Sequence, residues 1–202
     1  MRQLTKSDIK IIEDTAKYYY YTRPYARTIR TISLKSGTFC VVPTNNNINN
    51  WREIRAEFNP TNTNISLSCR GVDFNGTPCE EVITFLMSML VHEATHAVTR
   101  TEFEQAAINE AVRRASQVGT SCNYSHYITH PVELVAHGAM VASDVYRSIG
   151  LLRIWWAFRL AARKTQSLDY IRCQLKGIGW FRSWRILNKI TNSAWATYRS
   201  WR

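Results

Sequence analysis

At 202 residues the chain is long enough for one domain, or one domain with an appendage, and it can bury a substantial core. Its 26 Lys and Arg residues against 15 Asp and Glu residues give a net charge of +11. The five cysteines are scattered, odd in number and without C-x-x-C spacing, which argues against a disulfide framework or a zinc ribbon. The N-terminus shows no apolar signal-peptide core, and no uncharged apolar run reaches 18 residues, so we expect a soluble protein inside the cell.

The positive charge is concentrated towards the C-terminus. Residues 1–80 carry a net +4 and residues 81–145 a net −4, whereas residues 146–202 carry +11, with 12 basic residues against one acidic residue. Such asymmetry indicates an acidic partner for the C-terminal region. We therefore divide the chain into a domain over 1–148 and a basic, Trp-rich helical region over 149–202.

The N-terminal part predicts an α+β arrangement. Ile65, Leu67 and Cys69 alternate with polar residues, which makes 64–70 the clearest strand in the chain. Pro43 is expected to end the strand before it, because proline cannot donate to a sheet. The elements predicted here are a helix over 7–21, strands over 31–35, 38–42 and 64–70, and a short helix over 51–58.

A long buried helix is predicted next. The residues Thr77-Pro78-Cys79-Glu80 match a capping box with proline at the first helical position. The run from Val82 to Val91 is almost wholly apolar, and a helix that is apolar nearly all round is a buried one. The predicted helices from this point are 78–100, 102–118, 131–148 and two or three segments after Gly150, with breaks near Ser167 and at 177–179.

The residues His92-Glu93-Ala94-Thr95-His96 form an H-E-x-x-H motif late on the buried helix. Two His residues four positions apart lie on one helix face, where both imidazoles can bind one Zn²⁺. The carboxylate of Glu93 lies beside the metal and can take a proton from water. The alternative is a chance pair of core histidines, but two imidazoles and a carboxylate are costly to bury without a partner.

Catalytic zinc usually has three protein ligands, and Glu133 is the preferred third one. Pro131 begins a helix, which places Glu133 in its first turn and His137 on the same face one turn later. The competing interpretation is a carboxylate that only complements the helix dipole. Glu102 is the alternative ligand, because it occupies the last position of an H-E-x-x-H-x-x-G-x-x-H pattern, although Thr99 replaces the glycine of that pattern.

An apolar helix ending in H-E-x-x-H, followed by a helix that opens Pro131-Val132-Glu133, resembles the zincin metallopeptidases of the gluzincin type over roughly residues 60–145. The segment 127–137 resembles the third-ligand stretch of minimal zincins encoded by bacteria and phages. The resemblance implies a small, mostly antiparallel sheet with the H-E-x-x-H helix and a third-ligand helix. It also implies zinc bound by His92, His96 and Glu133, and peptide hydrolysis with Glu93 as general base.

The resemblance implies two further roles. The strand over 64–70 would be the edge that pairs with an extended peptide substrate. A hydrogen-bond donor besides zinc would stabilise the oxyanion, and the candidates near in sequence are Tyr124, His126, Tyr127 and His130. For Tyr127 and His130, each taken alone, an ordinary loop residue is the favoured interpretation. Gluzincins usually have Asp four residues after the ligand Glu; this chain has His137 there, which could orient a ligand by donating to a carboxylate.

The C-terminal region predicts a basic amphipathic helix after Gly179. Trp180, Trp184, Leu187, Thr191 and Tyr198 form one stripe, and the cations lie on the other side. Either the stripe packs on the core and the cations are solvated, or the region binds an acidic protein, a virion assembly or nucleic acid; a membrane surface ranks below these. The candidate contact residues are Arg182, Arg185, Lys189 and Arg199.

Three classes of function remain open. The first is a zinc-dependent metallopeptidase acting on a protein or peptide substrate. The second is a non-enzymatic, virion-associated structural or assembly protein that retains a zincin fold, which would place the protein in a virion or in the cytoplasm of a host cell. The third is a nucleic-acid-binding protein in which zinc is only structural. Retention of Glu93 between the two histidines favours the enzyme.

Overall fold

The computed structural model of the protein describes residues 3–22, 28–35, 37–45, 50–70, 77–99 and 127–201. These residues form an α+β structure, as expected from the sequence, with a small mixed sheet and six helices. The chain divides into two compact units, Met1–Val98 and Thr99–Arg202. The helix predicted over 102–118 lies outside the described residues, and the predicted domain boundary after residue 148 stays a prediction.

Most predicted elements are present with boundaries shifted by a few residues. A short 3₁₀ turn, Trp51–Glu53, is among the described elements of the first unit. The described helices are α1 (Lys6–Tyr21), α2 (Cys79–Thr99), α3 (Pro131–Ile149), α4 (Trp155–Ala162), α5 (Gln166–Gln174) and α6 (Trp180–Ser200). The described strands are β1 (Arg30–Leu34), β2 (Gly37–Asn45), β3 (Ala56–Asn59) and β4 (Asn64–Arg70).

The sheet has the strand order β1-β2-β4-β3. β1 and β2 form an antiparallel pair, β2 and β4 run parallel, and β3 and β4 run antiparallel. The side chains of Ile65, Leu67 and Cys69 are buried, which confirms the predicted alternation of β4. The expectation that β4 is an edge strand is wrong, because β4 lies between β2 and β3, and β3 lies at that end of the described sheet.

Two boundary predictions in the first unit are also wrong. The short helix predicted over 51–58 is a 3₁₀ turn followed by β3, because Ala56–Asn59 pairs with β4 instead of continuing the turn. Pro43 does not end β2, which continues to Asn45. The register against β4 shifts between Pro43 and Asn45, and a strand irregularity is where a residue without an N–H is tolerated.

The helix α2 is the apolar core helix of the first unit. Its length and composition would suffice to cross a membrane, but 83% of its most apolar window is buried within the protein. Among the described residues it is the one helix that meets this test, and its burial is typical of the core helix of a soluble protein. The predicted buried helix over 78–100 is thus confirmed within one residue at each end.

In the second unit, α3 and α6 pack closely where a glycine permits it. A Cβ atom added to Gly138 would lie 2.9 Å from the backbone nitrogen of Ala194 and 2.6 Å from Oγ of Ser193. Tyr198, on the same side of α6, is fully buried and its hydroxyl accepts a hydrogen bond from the backbone N–H of Leu152 at 2.6 Å. The second half of α6 is therefore part of the core of this unit.

We expect Gly138→Ala to destabilise the protein by about 1–3 kcal/mol, the usual cost of overpacking, despite the higher helix propensity of alanine. Gly37→Ala is the control, because no atom lies within 4 Å of the added Cβ and its φ is not positive. Urea unfolding of both variants measures the difference. Equal midpoints for the two variants would contradict the close approach of α3 and α6.

Candidate metal centre

The two histidines of the H-E-x-x-H motif face each other on α2. Nε2 of His96 lies 3.0 Å from Nε2 of His92, and the ring planes are inclined by 80°. Both side chains are buried, with 8% and 9% of their surface exposed. A spacing of four residues brings both nitrogens to one point on the helix surface, as the sequence predicts.

Glu93 is held by the edge strand of the sheet. Its Oε2 accepts a hydrogen bond of 2.8 Å from the backbone N–H of Phe58 in β3. Its Oε1 lies 3.9 Å from Nε2 of His92. This contact does not follow from the helix predicted over 51–58; the apolar Phe58 between polar Glu57 and Asn59 is the sequence signal that favours a strand here.

Glu133 lies in the first turn of α3 and is 1% exposed. Nε2 of His137, one turn later and also buried, lies 3.8 Å from Oε2 of Glu133. That distance is too long for a hydrogen bond but short enough for electrostatic attraction when the imidazole is protonated. A helix-capping carboxylate is normally exposed to water, so the burial of Glu133 argues against a role limited to the helix dipole.

His92, His96 and Glu133 form a buried group that could hold a metal ion: one ligand atom of each lies within 4.8 Å of the others. Two imidazoles and a carboxylate are the ligand set of several catalytic zinc sites. Zn–N bonds of about 2.0–2.1 Å at tetrahedral angles separate two nitrogens by about 3.3 Å. The 3.0 Å between the two Nε2 atoms is close to this value, so the donor set fits a zinc-sized ion.

The remaining predicted site residues are placed as follows. Tyr127 and His130 are half-buried just before α3, and the backbone N–H of His130 donates to the carbonyl of Tyr127 at 3.0 Å. The buried Nδ1 of His130 has no hydrogen-bond partner within the described residues. Glu102, the alternative ligand, lies outside them.

The cations of the C-terminal region do not form one cluster. Arg182, Arg185 and Lys189 line an open groove of about 550 Å³. Arg199 lies 17 residues beyond Arg182 on the same helix, a distance of about 25 Å at 1.5 Å per residue, and it is not among the groove residues. Arg199 is therefore not part of this groove, and its predicted role as a contact residue stays a prediction.

The predicted apolar stripe of α6 is only partly buried. Trp180 and Trp184 are exposed, whereas the buried side chains of the helix begin at Ile186. Thr191 and Tyr198 of the predicted stripe are buried. The stripe thus packs in the core only over the second half of the helix.

In comparisons with known proteins, the chain matches no family model, no curated protein and no solved structure.

We expect the purified protein to bind one Zn²⁺ per chain and to lose it in His96→Ala and Glu133→Gln. Glu102→Gln should keep the metal, because Glu133 is the third ligand that we expect. Elemental analysis measures the stoichiometry. Zinc at 100 times its dissociation constant should stabilise the wild type by about 2.7 kcal/mol, visible as a rise in Tm that is absent from both ligand variants.

The Tm of each apo variant shows whether it folds, so a loss of zinc can be separated from a loss of structure. Retention of one zinc by a folded Glu133→Gln variant, with loss in Glu102→Gln, would transfer the third-ligand role to Glu102.

Proposed function

We propose that the protein is a zinc-dependent metallopeptidase with a minimal zincin-like domain. The observation that carries the proposal is the buried group of His92, His96 and Glu133, with the carboxylate of Glu93 beside one of its imidazoles. A site that only stabilised the fold would commonly use four protein ligands and would not need an additional carboxylate. Three ligands and an adjacent base are instead the arrangement of hydrolytic zinc sites.

The metal would supply a Lewis acid that lowers the pKa of water to about 7 and polarises a peptide carbonyl. His92 and His96 would hold it through their Nε2 atoms, and Glu133 through a carboxylate oxygen. Three protein ligands would leave the metal accessible to water or to a substrate carbonyl.

Glu93 is the general base of the proposed reaction. The hydrogen bond from the Phe58 N–H fixes one oxygen of its carboxylate, and the other oxygen faces Nε2 of His92. A carboxylate fixed in this way can take the proton from the attacking water and give it to the departing amine. Because a backbone N–H orients it, Glu93 needs little rearrangement to act.

The edge strand β3 is the proposed binding site for an extended peptide. β3 pairs with β4 on one side, and the Phe58 N–H points to the other side, towards Glu93. The outer backbone groups of an edge strand can pair with a substrate strand, which would present its peptide bond beside the catalytic carboxylate. This assignment replaces β4, the strand expected from the sequence, with β3.

Tyr127 and His130 are the two candidates for the oxyanion donor, and both lie next to the helix that carries Glu133. Each has a side chain capable of donating a hydrogen bond. His137 is proposed to position Glu133, because its ring faces that carboxylate from the next turn of α3. A protonated His137 would favour the ionised form of Glu133, which is the form that binds metal.

We expect Glu93→Gln to bind zinc normally and to lose peptide hydrolysis by about 10²–10⁴-fold, the usual contribution of a general base. Gln preserves the size of the side chain and can still accept the hydrogen bond from the Phe58 N–H. Cleavage of a quenched fluorescent peptide library, followed by mass spectrometry of the products, measures the activity.

Glu80→Gln is the matched control, because Glu80 is an exposed carboxylate in the first turn of the same helix, thirteen residues before Glu93, and it should keep wild-type turnover. Equal turnover of Glu93→Gln and the wild type would rule out the mechanism. A zinc-loaded wild type that cleaves no peptide in the library would favour the non-enzymatic assembly protein instead.

A further inference from the structure

Three large aromatic side chains at the start of α6 face solvent. Trp180 is 81% exposed, Phe181 53% and Trp184 47%. The rings of Phe181 and Trp184 are stacked, with centroids 6.0 Å apart and planes inclined by 17°. Exposed apolar residues that are grouped within two helical turns are typical of an interaction surface.

Cations interleave with these rings. The guanidinium carbon of Arg185 lies 4.4 Å from the ring centroid of Phe181, a cation–π contact. Arg182, Arg185 and Lys189 are exposed and line the groove together with Trp184 and Asn188. No carboxylate is among the described residues that line this groove.

Charge and ring chemistry together indicate the partner. The groove belongs to a segment, residues 146–202, with 12 basic residues and one acidic residue, so the complementary ligand is a polyanion. The acidic residue, Asp169, lies 2.5 Å from a guanidinium nitrogen of Arg172 on α5. Flat exposed rings next to cations fit a polyanion that also presents π-faces, which is the chemistry of unpaired nucleotides.

We propose that the first half of α6 binds single-stranded nucleic acid. Bases stack on Trp180 and Trp184, and the phosphates lie against Arg182, Arg185 and Lys189. A duplex hides the faces of its bases, so single strands are preferred over double strands of the same length. A membrane surface fits less well, because three cations and Asn188 line a concave groove and not a flat apolar face.

The test is fluorescence-anisotropy titration of the full-length protein with a labelled oligo(dT) and with a duplex of equal length, over a range of salt concentrations. Trp180→Ala/Trp184→Ala should weaken oligo(dT) binding by roughly ten-fold or more and leave the salt dependence unchanged, because it removes stacking only. Arg182→Gln/Arg185→Gln/Lys189→Gln should weaken binding and lower the slope of log K against log salt by about 2, at ~0.7 per phosphate contact.

Two control variants in the same unit match these changes. Trp156→Ala/Leu160→Ala removes two exposed apolar side chains of α4, and Arg153→Gln/Arg163→Gln/Lys164→Gln removes three exposed cations that do not line the groove. Both controls should bind oligo(dT) like the wild type. Glu93→Gln should do so as well, which separates this proposal from that of peptidase activity.

Several results would overturn the assignment. One is equal affinity for duplex and single-stranded DNA. Another is equal loss of oligo(dT) affinity in the groove variants and in their matched controls. A third is the absence of oligo(dT) binding at low salt. Binding of vesicles containing an anionic phospholipid that depends on Trp180 and Trp184, without oligo(dT) binding, would assign the surface to a lipid headgroup layer. Self-association abolished by Trp180→Ala/Trp184→Ala, again without oligo(dT) binding, would assign it to a second copy of the chain.

Discussion

The burial of two imidazole rings in an apolar helix is the constraint on which the candidate metal centre depends. α2 is nearly enclosed by the protein, yet it carries His92 and His96 with their Nε2 atoms 3.0 Å apart and Glu93 beside them. Burying a polar group without a compensating interaction costs roughly 1–3 kcal/mol. A divalent ion at this point would be bound by several of these groups at once, and the adjacent β3 backbone donates a hydrogen bond to the carboxylate of Glu93. The function we propose is thus an outcome of the same physical requirement that shapes the core.

The sequence predicts the site residues on each helix better than it predicts the edge of the sheet. The spacing of His92 and His96, and the position of Glu133 in the first turn after Pro131, follow from helix geometry and are found as expected. The strand beside Glu93 was not predicted, because Trp51 and Phe58 are apolar residues seven positions apart and therefore fit a helical period as well as a turn followed by a strand. Only pairing with β4, a contact between separate segments, decides between the two.

The C-terminal helix shows the same limit. An apolar stripe from Trp180 to Tyr198 can be read from the sequence, but the helix extends beyond the core that it packs against, and the sequence does not show where that core ends. The buried side chains of the helix lie between Ile186 and Tyr198, in the part that Gly138 allows to approach α3 closely. Trp180, Phe181 and Trp184 extend beyond this packed part. These exposed rings, with the cations between them, are the observation from which we propose a polyanionic ligand.

The most direct measurement is an anomalous difference map, collected at the zinc absorption edge, from crystals of the full-length protein grown with zinc. We predict one peak about 2.0–2.1 Å from the Nε2 atoms of His92 and His96. The same peak should lie about 2.0–2.2 Å from a carboxylate oxygen of Glu133. Glu93 should lie near the peak without bonding to it. The absence of a peak at these histidines, or a peak ligated by cysteine sulfur at about 2.3 Å, would contradict the assignment of the metal centre.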